Sequence, residues 1–97
     1  MGAEQFDHAA EGKTAREAFD KAVAEACYSY GHSGYTGTIA EKTEFVMVGK
    51  AATLEEARAI ADKLMEDSDP RIDDKWGPAG CIKVGKGSYL FFGYASS

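Results

Sequence analysis

Two segments of this chain begin with the same helix-start signal, and this repeated signal constrains the fold more than any other feature. Residues 14–17 (TARE) and 53–56 (TLEE) both match the capping box, in which a Thr and a Glu side chain satisfy free backbone N–H groups. Apolar residues recur at helical spacing after each box. Gly31 can end the first run, and Pro70 prevents the second from continuing past Asp69. The sequence therefore predicts two amphipathic helices.

Short runs of β-branched and aromatic residues predict the strands. Residues 44–48 (EFVMV), 81–84 (CIKV) and 89–94 (YLFFGY) have this composition, and residues 85–88 (GKGS) predict a hairpin turn between the last two. Residues 38–40 (TIA) are a candidate for a further short strand. Strands joined by short links favour an antiparallel sheet of three to four strands with both helices packed on one face, which is an α+β fold.

The length of the chain allows a single domain that spans residues 1–97. A chain of this size buries about 60–65% of its extended surface, which is enough for one hydrophobic core. We expect residues 1–12 to be a loosely ordered N-terminal segment, and they lack the basic and apolar regions of a signal peptide. No apolar run approaches the roughly 18 residues of a membrane span. We therefore expect a cytoplasmic protein in which Cys27 and Cys81 are reduced.

The acidic residues are unevenly distributed. The formal net charge is −5, and residues 55–74 alone, with eight acidic and three basic side chains, also carry −5. The remainder of the chain is therefore neutral overall. A concentrated acidic patch repels phosphate groups, which argues against direct nucleic-acid binding and favours a protein partner with a basic surface.

No motif assembles a catalytic or metal-binding group. Residues 80–87 (GCIKVGKG) resemble a P-loop, but Gly87 stands where Ser or Thr must bind magnesium, and a strand follows where a helix is required. The two histidines and two cysteines lack the close spacing of zinc ligands. We therefore expect no catalytic residue, no metal and no cofactor. A small hydrolase that uses His32 and Glu41 is the remaining enzymatic alternative.

Residues 28–42 (YSYGHSGYTGTIAEK) are the main candidate for a ligand-binding loop. Glycines at positions 31, 34 and 37 can expose backbone N–H groups to an anion, and tyrosine rings can stack on a base. The competing interpretation is that the glycines only turn the chain and the tyrosines lie half-buried against the sheet. Under the first interpretation the protein binds a small molecule, such as a nucleotide signal, in a pocket shared across a homo-oligomer. The residues expected to contact this ligand are Tyr30, His32, Ser33, Tyr35, Thr36 and Lys42.

Residues 34–42 (GYTGTIAEK), 75–80 (KWGPAG) and 91–97 (FFGYASS) together resemble segments of the small, uncharacterised proteins encoded by bacteriophages and prophages. The likeness spans residues 28–97 and brings no known active site. It implies a compact acidic protein that acts in the host cytoplasm by occupying a host component, including defence nucleases.

The sequence as a whole favours a non-enzymatic, phage-type accessory protein that binds and inhibits a host protein. A defence complex that binds nucleic acid, such as the targets of anti-CRISPR proteins, has a basic groove that the acidic patch would meet, and opposite charge would speed the encounter. Trp76, within residues 73–78 (DDKWGP), is a candidate anchor. The small-molecule binder is the alternative function. The expected partner-binding residues are Glu55, Glu56, Asp62, Glu66, Asp69, Asp73 and Trp76.

Overall fold

The computed structural model describes residues 3–30, 39, 42–73 and 77–96, and these residues form four strands and two helices. The elements, in chain order, are β1 (Ala3–Glu11), α1 (Ala15–Tyr30), β2 (Phe45–Ala51), α2 (Leu54–Glu66), β3 (Ala79–Val84) and β4 (Ser88–Ser96).

Both helices begin at the predicted threonines. The backbone N–H of Glu17 donates to Oγ1 of Thr14 at 3.1 Å, and the backbone N–H of Glu56 donates to Oγ1 of Thr53 at 3.2 Å. Each bond satisfies one of the N–H groups that the first helical turn leaves without an intrahelical acceptor. The positions predicted for the two helices are therefore confirmed.

The four strands form one sheet in the order β1-β4-β3-β2. β4 pairs antiparallel with both β1 and β3, whereas β2 and β3 pair in parallel. β3 and β4 form the predicted hairpin, and in its turn Gly85 and Gly87 take positive φ angles of 57° and 76°, which residues with a Cβ atom rarely adopt. Because β4 lies in the interior of the sheet, its residues 89–92 are buried on both faces.

The two helices cover opposite faces of the sheet. Neighbouring residues of β1 show this directly: Nε2 of His8 lies 3.4 Å from Oε1 of Glu25 in α1, whereas Asp7 accepts a hydrogen bond from Arg58 in α2. Successive side chains of a strand point to opposite faces. The same alternation divides the core of the described residues into two clusters, one under each helix.

The strand order explains this placement of the helices. α1 carries the chain from β1 across the sheet to β2 at the other edge, and α2 returns it by one position to β3. These three strands run in the same direction, and connections between parallel strands are nearly always right-handed. Two right-handed connections that run in opposite directions along a sheet lie on opposite faces of it.

Aromatic rings form the centre of the core on the α1 side. The ring centroid of Phe19 lies 5.1 Å from that of Phe45 and 5.4 Å from that of Phe91. Tilted and edge-on pairs of this kind contribute about 0.5–1.5 kcal/mol beyond the burial of their area. On the other face, Leu90 and Phe92 are fully buried beneath α2. β4 therefore supplies the largest buried side chains to both halves of the core.

The α+β class predicted from the sequence is confirmed, with a four-stranded sheet that is mostly antiparallel. Three details differ from the expectation. β2 and β3 are parallel, the helices cover both faces instead of one, and residues 3–11, expected to be loosely ordered, form the edge strand β1. Of the candidate strand at residues 38–40, the structure describes only Ile39, which is buried and lies outside the sheet. In the described ranges, neither helix has both the length and the apolar character that crossing a bilayer requires.

Candidate functional site

The candidate site is a row of carboxylates on the outer side of α2. Glu55, Asp62 and Glu66 are exposed, and their spacing of seven and four residues places them on one side of a helix with about 3.6 residues per turn. The buried residues of α2, among them Ala57 and Ala61, lie on the opposite side. We call Glu55, Asp62 and Glu66 the acidic stripe.

No basic side chain among the described residues pairs with the acidic stripe. The two basic residues of α2 are engaged elsewhere: Nε of Arg58 lies 3.0 Å from Oδ2 of Asp7, and Nζ of Lys63 lies 3.7 Å from Oδ2 of Asp67. Exposed like charges without local compensation produce a negative potential that extends into the solvent. The stripe is therefore accessible to a cationic group from outside the protein.

Glu56 stands apart from the stripe. Because it follows Glu55 by one residue, it points about 100° away around the helix axis. It lines a shallow depression together with Lys50 and Lys83, whose positive charges reduce the negative potential there. Of the four acids predicted on α2, the structure therefore brings three together and separates Glu56.

Asp69 is paired with a neighbour. Its carboxylate oxygens accept hydrogen bonds from Nε of Arg71 at 3.0 Å and from Nη2 at 2.9 Å, and Oδ1 also accepts from the backbone N–H of Arg71. These hydrogen bonds lower the pKa of Asp69 from 3.8 to about 2. Asp73 is exposed, and its backbone N–H donates to the carbonyl oxygen of Asp69. Asp69 thus shapes this loop, whereas the carboxylate of Asp73 faces the solvent.

Strand β1 adds two exposed acids next to α2, and one of them, Asp7, is paired with Arg58. Asp7 and Glu11 are exposed, and they lie on the face that α2 covers because they alternate with His8, which contacts α1. A cavity of about 200 Å³ lies between β1 and α2, and it is lined by Gln5, by Asp62 from the stripe and by the ion pair of Asp7 with Arg58. We call the acidic stripe together with Asp7 and Glu11 the acidic face.

A hydrogen-bonded chain fixes one end of this cavity. Nε2 of Gln5 in β1 donates to the hydroxyl oxygen of Tyr94 at 3.4 Å, and that hydroxyl donates to the carbonyl oxygen of Met65 at 3.2 Å. The chain connects the edge strand, an interior strand and the end of α2. The position of the acidic stripe relative to β1 is therefore set by contacts at both ends of the cavity, since the pair of Arg58 and Asp7 holds the other side.

Most of the predicted ligand loop lies outside the described residues. Lys42 is described: it is 3% exposed, and its Nζ donates to the carbonyl oxygen of Gly77 at 2.9 Å, which connects the segments that precede β2 and β3. The ligand-binding role of the loop, the anchor at residue 76 and the enzymatic alternative at residues 32 and 41 all stay predictions. The predicted site residues outside the described ranges are His32, Ser33, Tyr35, Thr36 and Trp76, together with the side chain of Tyr30.

The thiol of Cys81 is not available for chemistry. Cys81 is fully buried, and this burial raises the pKa of its thiol from 9.0 to about 12, so that the thiol stays protonated at neutral pH. Within the described ranges, no cluster of three or more His, Cys, Asp and Glu side chains is placed to hold a metal ion. Chemically, the acidic face can supply fixed negative charges and hydrogen-bond acceptors to a partner.

The sequence analysis missed the contribution of β1 to the site. Asp7 and Glu11 lie more than forty residues before α2 in the chain, and only the sheet brings them to the same surface. The signal that could have located them is the alternation in residues 4–11 (EQFDHAAE). Phe6 is the one large apolar residue of this segment, so the even-numbered residues are the set expected to face the core. Asp7 and Glu11 belong to the odd-numbered set, which faces the opposite side of the strand.

Comparison of this chain with protein-family models, with curated proteins and with solved structures gave no significant match. The acidic face is therefore the feature from which a function can be inferred.

Proposed function

We propose that this protein is a non-enzymatic binding protein whose acidic face engages the basic surface of a protein partner. The observation that carries this proposal is the arrangement of charge on α2. Glu55, Asp62 and Glu66 share one exposed side, while the adjacent Arg58 and Lys63 are paired with other carboxylates. Such uncompensated charges repel one another in the free protein, and binding to a positive surface relieves this repulsion.

Proteins that bind nucleic acids are the class of partner that best matches this surface. They neutralise phosphate groups with clusters of Lys and Arg, and an acidic protein can occupy the same clusters. The resemblance of residues 28–97 to phage proteins supports a host defence complex in the host cytoplasm as the target, with inhibition by occupancy as the result. Attraction between opposite charges would speed the encounter and weaken as salt is added.

Charge reversal of the acidic stripe tests this function. A variant with Glu55→Lys, Asp62→Lys and Glu66→Lys changes the formal net charge from −5 to +1, because each reversal adds two units, and it leaves the buried side of α2 intact. Wild type and variant are immobilised, and a bacterial lysate is passed over both. Proteins retained by the wild type alone are identified and purified. We expect basic proteins whose Kd rises with salt concentration and that added DNA or RNA releases.

The matched control carries the same charge reversal on the other face of the sheet. Glu17, Asp20 and Glu25 are exposed acids of α1, and their replacement by Lys also gives a net charge of +1. The stripe variant should weaken binding of the purified partner by at least about tenfold, which corresponds to roughly 0.5 kcal/mol for each of three charges. The control variant should bind nearly as well as the wild type. Equal weakening in both variants, or none in either, would refute the acidic face as the binding surface.

A further inference from the structure

One edge of strand β1 has no partner among the described residues, and we call it the open edge. β1 pairs with β4 along all nine of its residues in one unbroken register, and no described strand pairs with its other side. The other edge strand is different, because the pairing of β2 with β3 shifts between Met47 and Gly49, and Lys50 follows this shift. A bulge and a lysine are common devices that prevent an edge strand from pairing further. β1 contains neither of them, and it contains no proline.

Alternate residues of β1 direct their backbone groups toward this open edge. The N–H of Gly12, directly after β1, donates to the carbonyl oxygen of Gly87 at 2.9 Å, next to β4. Backbone groups of an antiparallel strand alternate in direction, so the even-numbered residues of β1 bond to β4. The N–H and C=O groups of the odd-numbered residues therefore point outward, and no described group bonds to them. From position 5 onward, the residues whose backbone groups point outward are Gln5, Asp7, Ala9 and Glu11.

The side chains beside the open edge are predominantly acidic. Asp7 and Glu11 lie on the α2 face, where Asp62 lines the adjoining cavity. Glu4 lies on the α1 face, and β1 contains neither Lys nor Arg. In a sheet, directly opposite side chains on neighbouring strands lie about 5 Å apart on the same face. An extended chain with Lys or Arg at every second position would therefore place these cations next to Glu11 and next to Asp7, whose carboxylate also pairs with Arg58.

We propose that an extended basic segment of the protein partner adds to the sheet as a fifth strand beside β1. This rests on the proposed function and adds the form in which the partner is recognised: a strand with Lys or Arg at alternate positions. Main-chain hydrogen bonds to the outward groups of β1 give the affinity, and the acidic side chains select the sequence. A second copy of this chain fits less well, because β1 contains Glu4, Asp7 and Glu11 but neither Lys nor Arg, so a second β1 strand would bring more negative charge to this edge and no cation.

A nine-residue peptide of alternating Lys and Thr, KTKTKTKTK, is the probe. Its binding to the full chain is measured by fluorescence anisotropy, and the exchange of individual backbone amides is followed by NMR. With free peptide at ten times Kd, exchange of the amides of Gln5, Asp7, Ala9 and Glu11 should slow about tenfold. The amides of the even-numbered residues already bond to β4, so that their exchange should change little.

A second peptide separates backbone pairing from charge. It has the same sequence, but the backbone nitrogens of its lysines carry methyl groups. The N–H groups at these nitrogens are the donors that would face β1, so the modified peptide keeps every charge and loses these hydrogen bonds. It should bind at least about tenfold more weakly than the unmodified peptide. Ala9→Pro should weaken binding of the unmodified peptide in the same way, because it removes one outward N–H and keeps the bonds to β4.

The outcomes distinguish strand addition from the proposed function. Equal binding of the two peptides, without slower exchange at the odd-numbered residues, would refute strand addition and leave the acidic face as a binding surface. If neither peptide binds, strand addition is also refuted. Partner binding that survives reversal of the acidic stripe would refute the proposed function, even if the peptide still paired with β1. Slow exchange of the odd-numbered amides in the free protein, increasing with protein concentration, would assign the edge to a second copy and overturn the proposal.

Discussion

The guanidinium of Arg58 lies 3.0 Å from the carboxylate of Asp7, and this ion pair joins the helix α2 to the edge strand β1. Both side chains are about half exposed. Water screens charges at such positions, and the long side chain of Arg58 loses freedom when it pairs, so the net stabilisation is small. The pair matters more for position than for energy, because it holds Asp7 beside Asp62 at the cavity of the acidic face.

A double-mutant cycle should show this small energy. We expect Asp7→Asn and Arg58→Gln to be coupled by about 0.2–1 kcal/mol in the free energy of unfolding, measured by urea denaturation of the wild type, both single variants and the double variant. The coupling should decrease in about 1 M salt, where charges are screened over distances of roughly 3 Å. A coupling above about 2 kcal/mol would contradict the description of this pair as a surface interaction.

Replacement of Gly80 by Ala should destabilise the core beneath α2. A Cβ atom at this position would lie 2.6 Å from Cζ of Phe92 and 3.0 Å from Cγ2 of Ile72, and both neighbours are fully buried. We expect a loss of about 1–3 kcal/mol in the free energy of unfolding, which is the usual cost of overpacking. Gly49→Ala is the matched control, since no atom lies within 4 Å of a Cβ atom there. The control should change stability by less than about 0.5 kcal/mol, and identical urea midpoints for the two variants would disprove the prediction.

The two cysteines should differ in reactivity. Iodoacetamide at about pH 8 should modify Cys27, which is partly exposed, and spare Cys81, which is fully buried with a thiol pKa of about 12. At that pH the thiol of Cys81 stays protonated, because its burial raises its pKa far above the pH. Mass spectrometry should detect one adduct on the folded protein and two adducts after unfolding in urea. Modification of both cysteines at similar rates in the folded protein would contradict the buried position of Cys81.

The pair of Asp69 and Arg71 should make stability depend on pH in the acidic range. The pKa of Asp69 is about 2 in the folded protein, below its ordinary value of 3.8. The unfolded chain therefore binds this proton first as the pH falls, so that the stabilising contribution is present above about pH 4 and is lost toward pH 2. Asp69→Asn should lower Tm at pH 5, and its difference from the wild type should shrink as the pH approaches 2.

Asp73→Asn provides the control for this pH dependence. Asp73 is exposed, and its carboxylate forms no ion pair with a described residue. The variant should therefore follow the wild-type Tm throughout the series from pH 5 to pH 2. A Tm difference for Asp69→Asn that stays constant across this range would show that the ion pair is not its cause.

Signals that act within a few residues were sufficient to predict the helices and the hairpin. Thr14 and Thr53 set the helix starts, and Gly85 and Gly87 form the turn, because each of them acts on neighbouring backbone groups. Strand β1 was not predicted, because Phe6 is its one large apolar residue. In addition, the partner strand β4 begins 77 residues after β1 ends. The parallel pairing of β2 with β3 agrees with the order strand, helix, strand, which is typical of a parallel βαβ unit and which the prediction of an antiparallel sheet did not take into account.

Some features of the candidate site could likewise be predicted from local sequence, and others require the folded sheet. The acidic stripe follows from helical spacing, and the bond between Asp69 and Arg71 spans two residues, so both could be derived from sequence. The position of Glu56 beside Lys50 and Lys83 requires the sheet, because α2 and the ends of two strands meet there. The inclusion of β1 in the acidic face also requires the sheet. The count of charges showed which part of the chain is acidic, but it did not show which acids lie on the same surface.

β4 is the last strand in chain order, yet it lies between β1 and β3. During translation, β1 leaves the ribosome 77 residues before its partner strand begins to emerge. At about 5–20 residues per second, this interval lasts on the order of 4–15 seconds. Throughout it, the backbone groups of β1 that bond to β4 in the folded protein have no partner strand, which exposes the nascent chain to aggregation and to capture by chaperones.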